Sequence, residues 1–437
     1  MLNTIKNAFR IPDLRKKLLF TLLVIVVFRF GSVIPVPFLD VSALGELMAR
    51  VDATPLGYVN MLTGGAFGNA TLFAMGITPY INSSIIMQLL TVAIGPLERM
   101  AREGEEGRKR IASITRYVTV ALGLIQGTAY FFYLRSNGIT EFNDGFGAWF
   151  SAIVIIFVFT AGTALMMWLG EQINVKGVGN GISILLFASI IARMPTTLGQ
   201  VWNYFYNGFA EPSAYGKYLF LAPFWLILFL AVIWVIVFMN DSERRLPVQY
   251  AKRVVGRKVY GGQSSHIPIK VAMSGVMPII FASSILSIPS MIQVFLGSKA
   301  QTGFWAGFFN ALSSQGWLYC VLYFVFILLF AYFYMSIQYN PLEMANNLRQ
   351  NNGMIPGIRP GKPTADFIAK ILSKLTLIGA LFLAVIALVP IIYGNLAGMS
   401  NMSMGGTSII IMVGVALETV KQLESQMMMR HYKGFLD

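Results

Sequence analysis

Asn82, Ser83, Ser84 and Gln88 stand in the apolar run GGAFGNATLFAMGITPYINSSIIMQLLT, Gly64 to Thr91, together with an internal proline. Amides and hydroxyls of this kind hydrogen-bond, but they do not ionise near neutral pH. On a membrane-length helix they suit a wall that lines a path through the bilayer, where a plain anchor has no use for them. Chemistry of other kinds has little to stand on. No His/Cys/Asp cluster appears, and two histidines with one cysteine make a multi-ligand metal site improbable. Cys320 lies in an apolar run and reads as a small buried hydrophobe. GVGNG, Gly177 to Gly181, lacks the Lys-Ser/Thr of a phosphate loop and reads as a flexible helix start. No cofactor is expected.

The elements that must position these groups are membrane spans. Of 437 residues, 56% are hydrophobic and 12% are charged, against about 25% charged in soluble domains. Leu219 to Met239 carries no charge and is long enough for roughly 30 Å of hydrocarbon. Apolar windows predict ten spans, near 18–36, 72–94, 115–135, 149–169, 179–194, 219–239, 271–296, 316–337, 373–393 and 407–426. The first follows Lys6, Arg10, Arg15, Lys16 and Lys17 and could pass for a secretory signal. It continues to Val36 without a clean cleavage site, so it is expected to be retained. With the N-terminus in the cytoplasm, cytoplasmic segments hold 27 of the 33 Lys and Arg residues and the opposite side holds 5. Both termini are therefore expected in the cytoplasm, and the net charge of +14 largely follows from topology. The expected class is an all-α polytopic membrane protein. Ten spans divide into N-terminal 1–195 and C-terminal 196–437, and five spans per half permit inverted repeats without demonstrating them.

Mid-depth is nearly free of ionisable groups. Arg29 lies near the outer end of the first span, where it could snorkel. Glu418, Lys421 and Glu424 fall toward the cytoplasmic end of the last. Coupled carriers keep such groups at the midplane, which weighs against a pump. An inverted-repeat solute transporter or a membrane-embedded enzyme would need polar ligands or convergent catalytic groups that this sequence does not supply.

Three segments exceed what topology needs. Ser242 to Lys270 alternates apolar and charged residues around a Gly-Gly pair and predicts an extended hairpin with a basic rim. Asn340 to Phe367 predicts a short helix after Pro341 ending near Asn351, then a proline-stiffened loop carrying Arg359, with Thr364 capping the next helix. These cytoplasmic loops, about 240–270 and 338–372, are either solvated connections or a docking surface for an acidic partner. Pro55 to Asn69 is too short to span and too apolar for a casual loop. It lies on the outer surface, or packs in protein at membrane depth.

The motifs AMGITPYINSSIIMQLL, EGEEGRKR, GVGNGISILLFASII, ERRLPVQYAKRVVGRKVYGGQSSHIPIK, GVMPIIFASSIL, NNGMIPGIRPGKPT and GVALETVKQLESQ follow in order across nearly the whole chain. In these the chain resembles the SecY/Sec61-alpha family, the central subunits of protein-conducting channels. The resemblance implies an hourglass pore between two five-helix halves in a bacterial inner membrane. It makes Ile81, Ile85, Leu186, Ile190, Ile280 and Ile411 the pore ring, although spacing alone reads each as packing or lipid-facing. Leu186 departs from the family's usual isoleucine and stays bulky and apolar. Gly57, Tyr58, Val59, Asn60, Met61, Leu62, Thr63, Gly64, Gly65, Ala66, Phe67 and Gly68 match a plug. The second and seventh spans match a lateral gate, with Asn82, Gln88, Thr91, Ser283 and Ser287 as candidate seam residues. The basic loops match a docking site for the motor ATPase SecA and the ribosome, through Arg244, Arg245, Lys252, Arg253, Arg257, Lys258 and Arg359. SecE-like and SecG-like subunits, signal-bearing preproteins and membrane lipids complete the implied partners. The implied activity is passive passage of unfolded chains, with no reaction catalysed here.

Overall fold

The computed structural model describes residues 2–40, 43–44, 60, 63–142, 144–250, 253–255, 258–260, 264–273, 275–296, 303–312, 316–398 and 406–433. Helices dominate, as apolar runs in hydrocarbon must satisfy their backbone internally. In chain order they are α1 (Leu2–Arg10), α2 (Pro12–Gly31), α3 (Thr78–Ala93), α4 (Gly95–Arg102), α5 (Glu105–Ser136), α6 (Gly145–Lys176), α7 (Gly181–Ala210), α8 (Pro212–Tyr215) and α9 (Tyr218–Asp241). After a strand-bearing loop come α10 (Met277–Leu296), α11 (Gly303–Ala311), α12 (Trp317–Gln338), α13 (Pro341–Gln350), α14 (Lys362–Ala397) and α15 (Gly406–Lys433).

Among the described residues, seven helices are long and apolar enough to cross a membrane, or eight if α3 and α4 form one bent span. Ten is reached only if α2 and α10 cross as well. Arg15, Lys16, Lys17 and Arg29 raise the charge of α2, and α10 is apolar over the shorter stretch Met277–Pro289.

Two predicted span boundaries need correction. The second span was expected from residue 72, yet α3 begins at Thr78, with Pro79 in its first turn. Its 16 residues rise about 24 Å, short of a hydrocarbon core. Turns at 63–77 precede it instead, and α4 leaves at a 100° bend. The fifth span, expected to end near 194, runs on to Ala210 through Pro195. Its start follows local chemistry: the Asn180 side chain accepts from the N–H groups of Ile182 and Ser183 at 3.1 and 3.5 Å.

One large hydrophobic cluster draws side chains from α2, α3, α6, α7, α9, α10, α12, α14 and α15. A smaller one gathers Val36, Leu39, Phe67, Ala70, Tyr130, Leu134, Ile139 and Phe159 beside α5 and α6. The loop after α9 folds as β1 (Glu243–Tyr250), β2 (Arg253–Val255), β3 (Lys258–Tyr260) and β4 (Ser264–Lys270). β1 pairs antiparallel with β4, and β2 with β3, so the expected hairpin is present in two tiers.

Candidate functional site

The six candidate ring residues come from four helices and share one hydrophobic cluster. Ile81 and Ile85 are one turn apart on α3, Leu186 and Ile190 one turn apart on α7, with Ile280 on α10 and Ile411 on α15. Five are buried. Ile280 is half-buried, while Ile279 beside it is fully enclosed. Leu186, Ile280 and Ile411 also line a cavity of about 510 Å³. Its wall carries polar groups from Asn180, Ser183, Asn240, Glu418 and Lys421. The cavity therefore joins a polar wall to aliphatic residues of the cluster. Ile81, Ile85 and Ile190 lie outside that lining. Among the described residues no group of three His, Cys, Asp or Glu could hold a metal.

Of the candidate plug, Asn60 and Thr63 to Gly68 are described; Gly57, Tyr58, Val59, Met61 and Leu62 lie outside the described residues. The described part is a knot of local hydrogen bonds. Asn60 Oδ1 accepts from the Gly68 N–H at 2.8 Å, and its carbonyl accepts from the Gly65 N–H at 2.9 Å. Thr63 Oγ1 donates to the Asn60 carbonyl at 3.1 Å and accepts from the Phe67 N–H at 3.1 Å. Gly64 and Gly65 adopt φ of +67° and +89°, which L side chains rarely take. Gly64 also sits tight on α7: a Cβ there would lie 2.9 Å from the Ser189 carbonyl oxygen. Ser189 precedes the candidate ring residue Ile190. Phe67 is held differently. Its ring lies 4.3 Å, centroid to centroid, from Tyr130, whose hydroxyl donates to the Phe67 carbonyl. The C-terminal end of the segment is thus fastened to α5.

At the candidate gate, α10 packs against both α3 and α5. Four seam candidates hydrogen-bond within their own helices. Gln88 donates to Ser84 Oγ at 3.4 Å, Thr91 to the Met87 carbonyl at 2.7 Å, Ser283 to Ile280 at 3.0 Å and Ser287 to Ser284 at 2.7 Å. Asn82 is half-buried on α3. The residue that crosses between helices is Ser83, fully buried, whose hydroxyl donates to the Thr115 carbonyl on α5 at 2.8 Å. Ser83 was visible in the sequence as one of two serines, and its direction was not.

The two basic loops form one body. β5 (Gly353–Met354) joins the far edge of β1, pairing Gln249 with Met354 and Tyr250 with Gly353. Leu246, Val248, Ile269, Leu348, Ile355, Ile368 and Leu372 fill a shared core beneath. A Cβ on Gly353 would lie 3.0 Å from the Tyr250 ring, so a side chain there would press the ring aside. Arg244 and Arg245 are exposed on β1, with Arg245 paired to Glu243 at 2.7 Å. Arg253 and Lys258 occupy β2 and β3; Lys252 and Arg257 lie outside the described residues. Arg359 is exposed between Gly357 and Gly361, both at positive φ. Thr364 does not cap α14, as its sequence position predicted. Its hydroxyl donates to the Arg359 carbonyl at 2.8 Å, and the helix starts from Gly361 without a side-chain cap.

Arg29 also departs from expectation. Rather than reaching outward, its Nη1 is buried without a hydrogen-bond partner among the described residues. It lies 3.2 Å from where a Cβ on Gly64 would stand.

A family model described as SecY matches residues 71–420. The protein translocase subunit SecY of Streptomyces coelicolor is 44% identical over 449 residues, covering 100% of both chains. Its counterpart in Thermotoga maritima is 41% identical, covering 100% of this chain and 98% of that protein. Among solved structures, a protein-conducting channel superposes with TM-score 0.64 at 18% identity, over 94% of this chain and 92% of that one. Sec61 in a canine ribosome–channel complex superposes with TM-score 0.63 at 16% identity, over 94% and 92%. The helical arrangement is that of these channels, and with full-length relatives above 40% identity the chain belongs to the SecY family.

Proposed function

We propose that the chain is the protein-conducting subunit of a bacterial inner-membrane translocase. Unfolded preproteins would pass between its helices, and apolar segments would leave sideways into lipid. The observation that carries this reading is the gathering of six aliphatic side chains from four helices, with the Gly64 turn seated against Ser189. A passage for every kind of side chain is better closed by aliphatic groups than by charges, which would trap some segments. A narrow apolar ring also dewets and leaves an ion no hydration.

In this reading α2, α3, α5, α6 and α7 form one half and α9, α10, α12, α14 and α15 the other. Both termini are cytoplasmic. Ile81, Ile85, Leu186, Ile190, Ile280 and Ile411 form the ring, residues 57–68 the plug, and α3 with α10 the gate. Lateral sorting follows transfer energies: Leu or Ile favours lipid by about 0.3–0.6 kcal/mol, and a central Arg or Asp disfavours it by about 2.5–3.5 kcal/mol. No chemical step is needed here. Energy comes from SecA or from the translating ribosome, docking on the β1–β5 body and Arg359. A SecE-like subunit braces the halves, with a SecG-like one beside it.

The test is reconstitution with a SecE-like subunit, SecA and ATP. Import of a signal-bearing preprotein is expected, with crosslinks from a stalled chain to cysteines on α3 and α10. Failure of both import and crosslinking would refute the assignment.

A further inference from the structure

Arg29 is a charged group that the channel reading leaves unused. It lies two residues before the end of α2, in a helix facing hydrocarbon through Leu22, Leu23, Val26 and Phe30, all exposed. The residue as a whole is half-buried, but Nη1 is closed off and has no acceptor among the described residues. The Gly64 turn lies between that nitrogen and α7: the same Cβ position is 3.2 Å from Arg29 Nη1 and 2.9 Å from the Ser189 carbonyl oxygen.

A guanidinium nitrogen closed off from water, with no acceptor among the described residues, raises the free energy of the state that holds it so. That cost falls on the seated arrangement. When the turn withdraws from Ser189, the space beside Nη1 opens and the guanidinium regains water. The unpaired nitrogen thus opposes seating, while the local hydrogen bonds of Asn60 and Thr63 and the Tyr130–Phe67 attachment hold the segment together.

We propose that Arg29 is a release residue: its unpaired Nη1 destabilises the seated Gly64 turn and thereby eases opening of the channel. The proposal rests on reading residues 57–68 as a plug. It has a definite sign. A residue that held the plug in place would loosen the seal when removed. Arg29→Met, which fills similar space without the charge, tightens it, because a half-buried charge with one enclosed, unpartnered nitrogen is replaced by an apolar chain.

The experiment uses the full chain with its SecE-like subunit in proteoliposomes, carrying Ala66→Cys in a Cys320→Ser background. A membrane-impermeant maleimide reads how often the segment opens, and preprotein import is measured in the same vesicles. Arg29→Met is expected to slow labelling about tenfold and to slow the onset of import. Arg29→Lys should fall between Met and the parent. Arg29→Gln, which keeps polarity and loses charge, serves if the Met variant does not accumulate and should slow labelling by a smaller factor. Equal or faster labelling in the charge-free variants, with import intact in the parent, overturns the proposal alone. No import by the parent overturns the channel reading and the proposal with it.

Discussion

Replacing Gly64 and Gly65 separately by alanine isolates the contact that seats the proposed plug segment. Both glycines have positive φ, +67° and +89°, so alanine carries a similar backbone penalty at each, about 1–2 kcal/mol. Their surroundings differ. A Cβ on Gly65 meets nothing within 4 Å, whereas one on Gly64 meets the Ser189 carbonyl oxygen at 2.9 Å and its Cα at 3.1 Å. Those atoms are helix backbone and cannot swing aside. The segment must lift from α7, at an overpacking cost of about 1–3 kcal/mol. Gly64→Ala then costs about 2–5 kcal/mol for the seated state and Gly65→Ala about 1–2 kcal/mol. With a factor of ten for each 1.4 kcal/mol, the extra 1–3 kcal/mol should raise the resting ion leak about five- to 140-fold more in Gly64→Ala than in Gly65→Ala. Conductance of the reconstituted channel in planar bilayers measures this, with thermal unfolding of both variants as a control on the fold. Equal leak from the two variants at equal stability would refute the seating argument.

Tyr130→Phe removes the hydroxyl that donates to the buried Phe67 carbonyl. It should cost about 1–3 kcal/mol in unfolding experiments and raise resting leak. Asn60→Ala removes the acceptor of the Gly68 N–H and should raise leak by a similar factor, read by the same bilayer assay. Ser83→Ala removes the donor that links α3 to the Thr115 carbonyl on α5, which keeps the Thr119 hydroxyl; a loss of about 1 kcal/mol should appear in melting. Arg359→Glu reverses an exposed charge, so it should cut motor-driven import severalfold while expression and melting stay unchanged.

Hydropathy made the helical class and most spans legible, because burial in hydrocarbon selects long apolar runs. It misplaced the start of α3, since apolarity reports burial and says little about backbone geometry. Residues 63–77 are as apolar as a helix, yet Gly64, Gly65, Ala70 and Gly76 hold positive φ and break it into turns. It also ended the fifth span early, because Arg193 and Pro195 close the apolar window while α7 runs on. Spacing could not single out the proposed ring, as isoleucines at i and i+4 recur throughout; only the ordered motifs point to those six residues. The joining of the two basic loops had no local signal at all. β5 is two residues long, and its Gly353 meets Tyr250, which stands more than 100 residues earlier in the chain.

Hydrogen bonding around α3, α5 and α10 separates seams that can part from seams that resist parting. Serine and threonine hydroxyls at a helix interface can bond across it or back to their own helix. On α10, Ser283 and Ser287 bond back, and on α3 Thr91 does the same. Drawing α10 away from α3 would therefore cost packing and leave those hydroxyls satisfied. Between α3 and α5 the bond crosses, from Ser83 to the Thr115 carbonyl, and both lie in protein. Breaking it would strand the buried Ser83 hydroxyl, at about 1–3 kcal/mol, while the Thr115 carbonyl keeps the Thr119 hydroxyl as a donor at 2.7 Å. α5 is in turn packed along α6, where Gly123 and Gly127 admit Thr163 and Phe159 closely. The helices α3, α5 and α6 thus have reason to move as one body, and α10 has reason to move against them. A lateral opening in this chain would part along α10, on the side where Thr91, Ser283 and Ser287 already bond within their own helices.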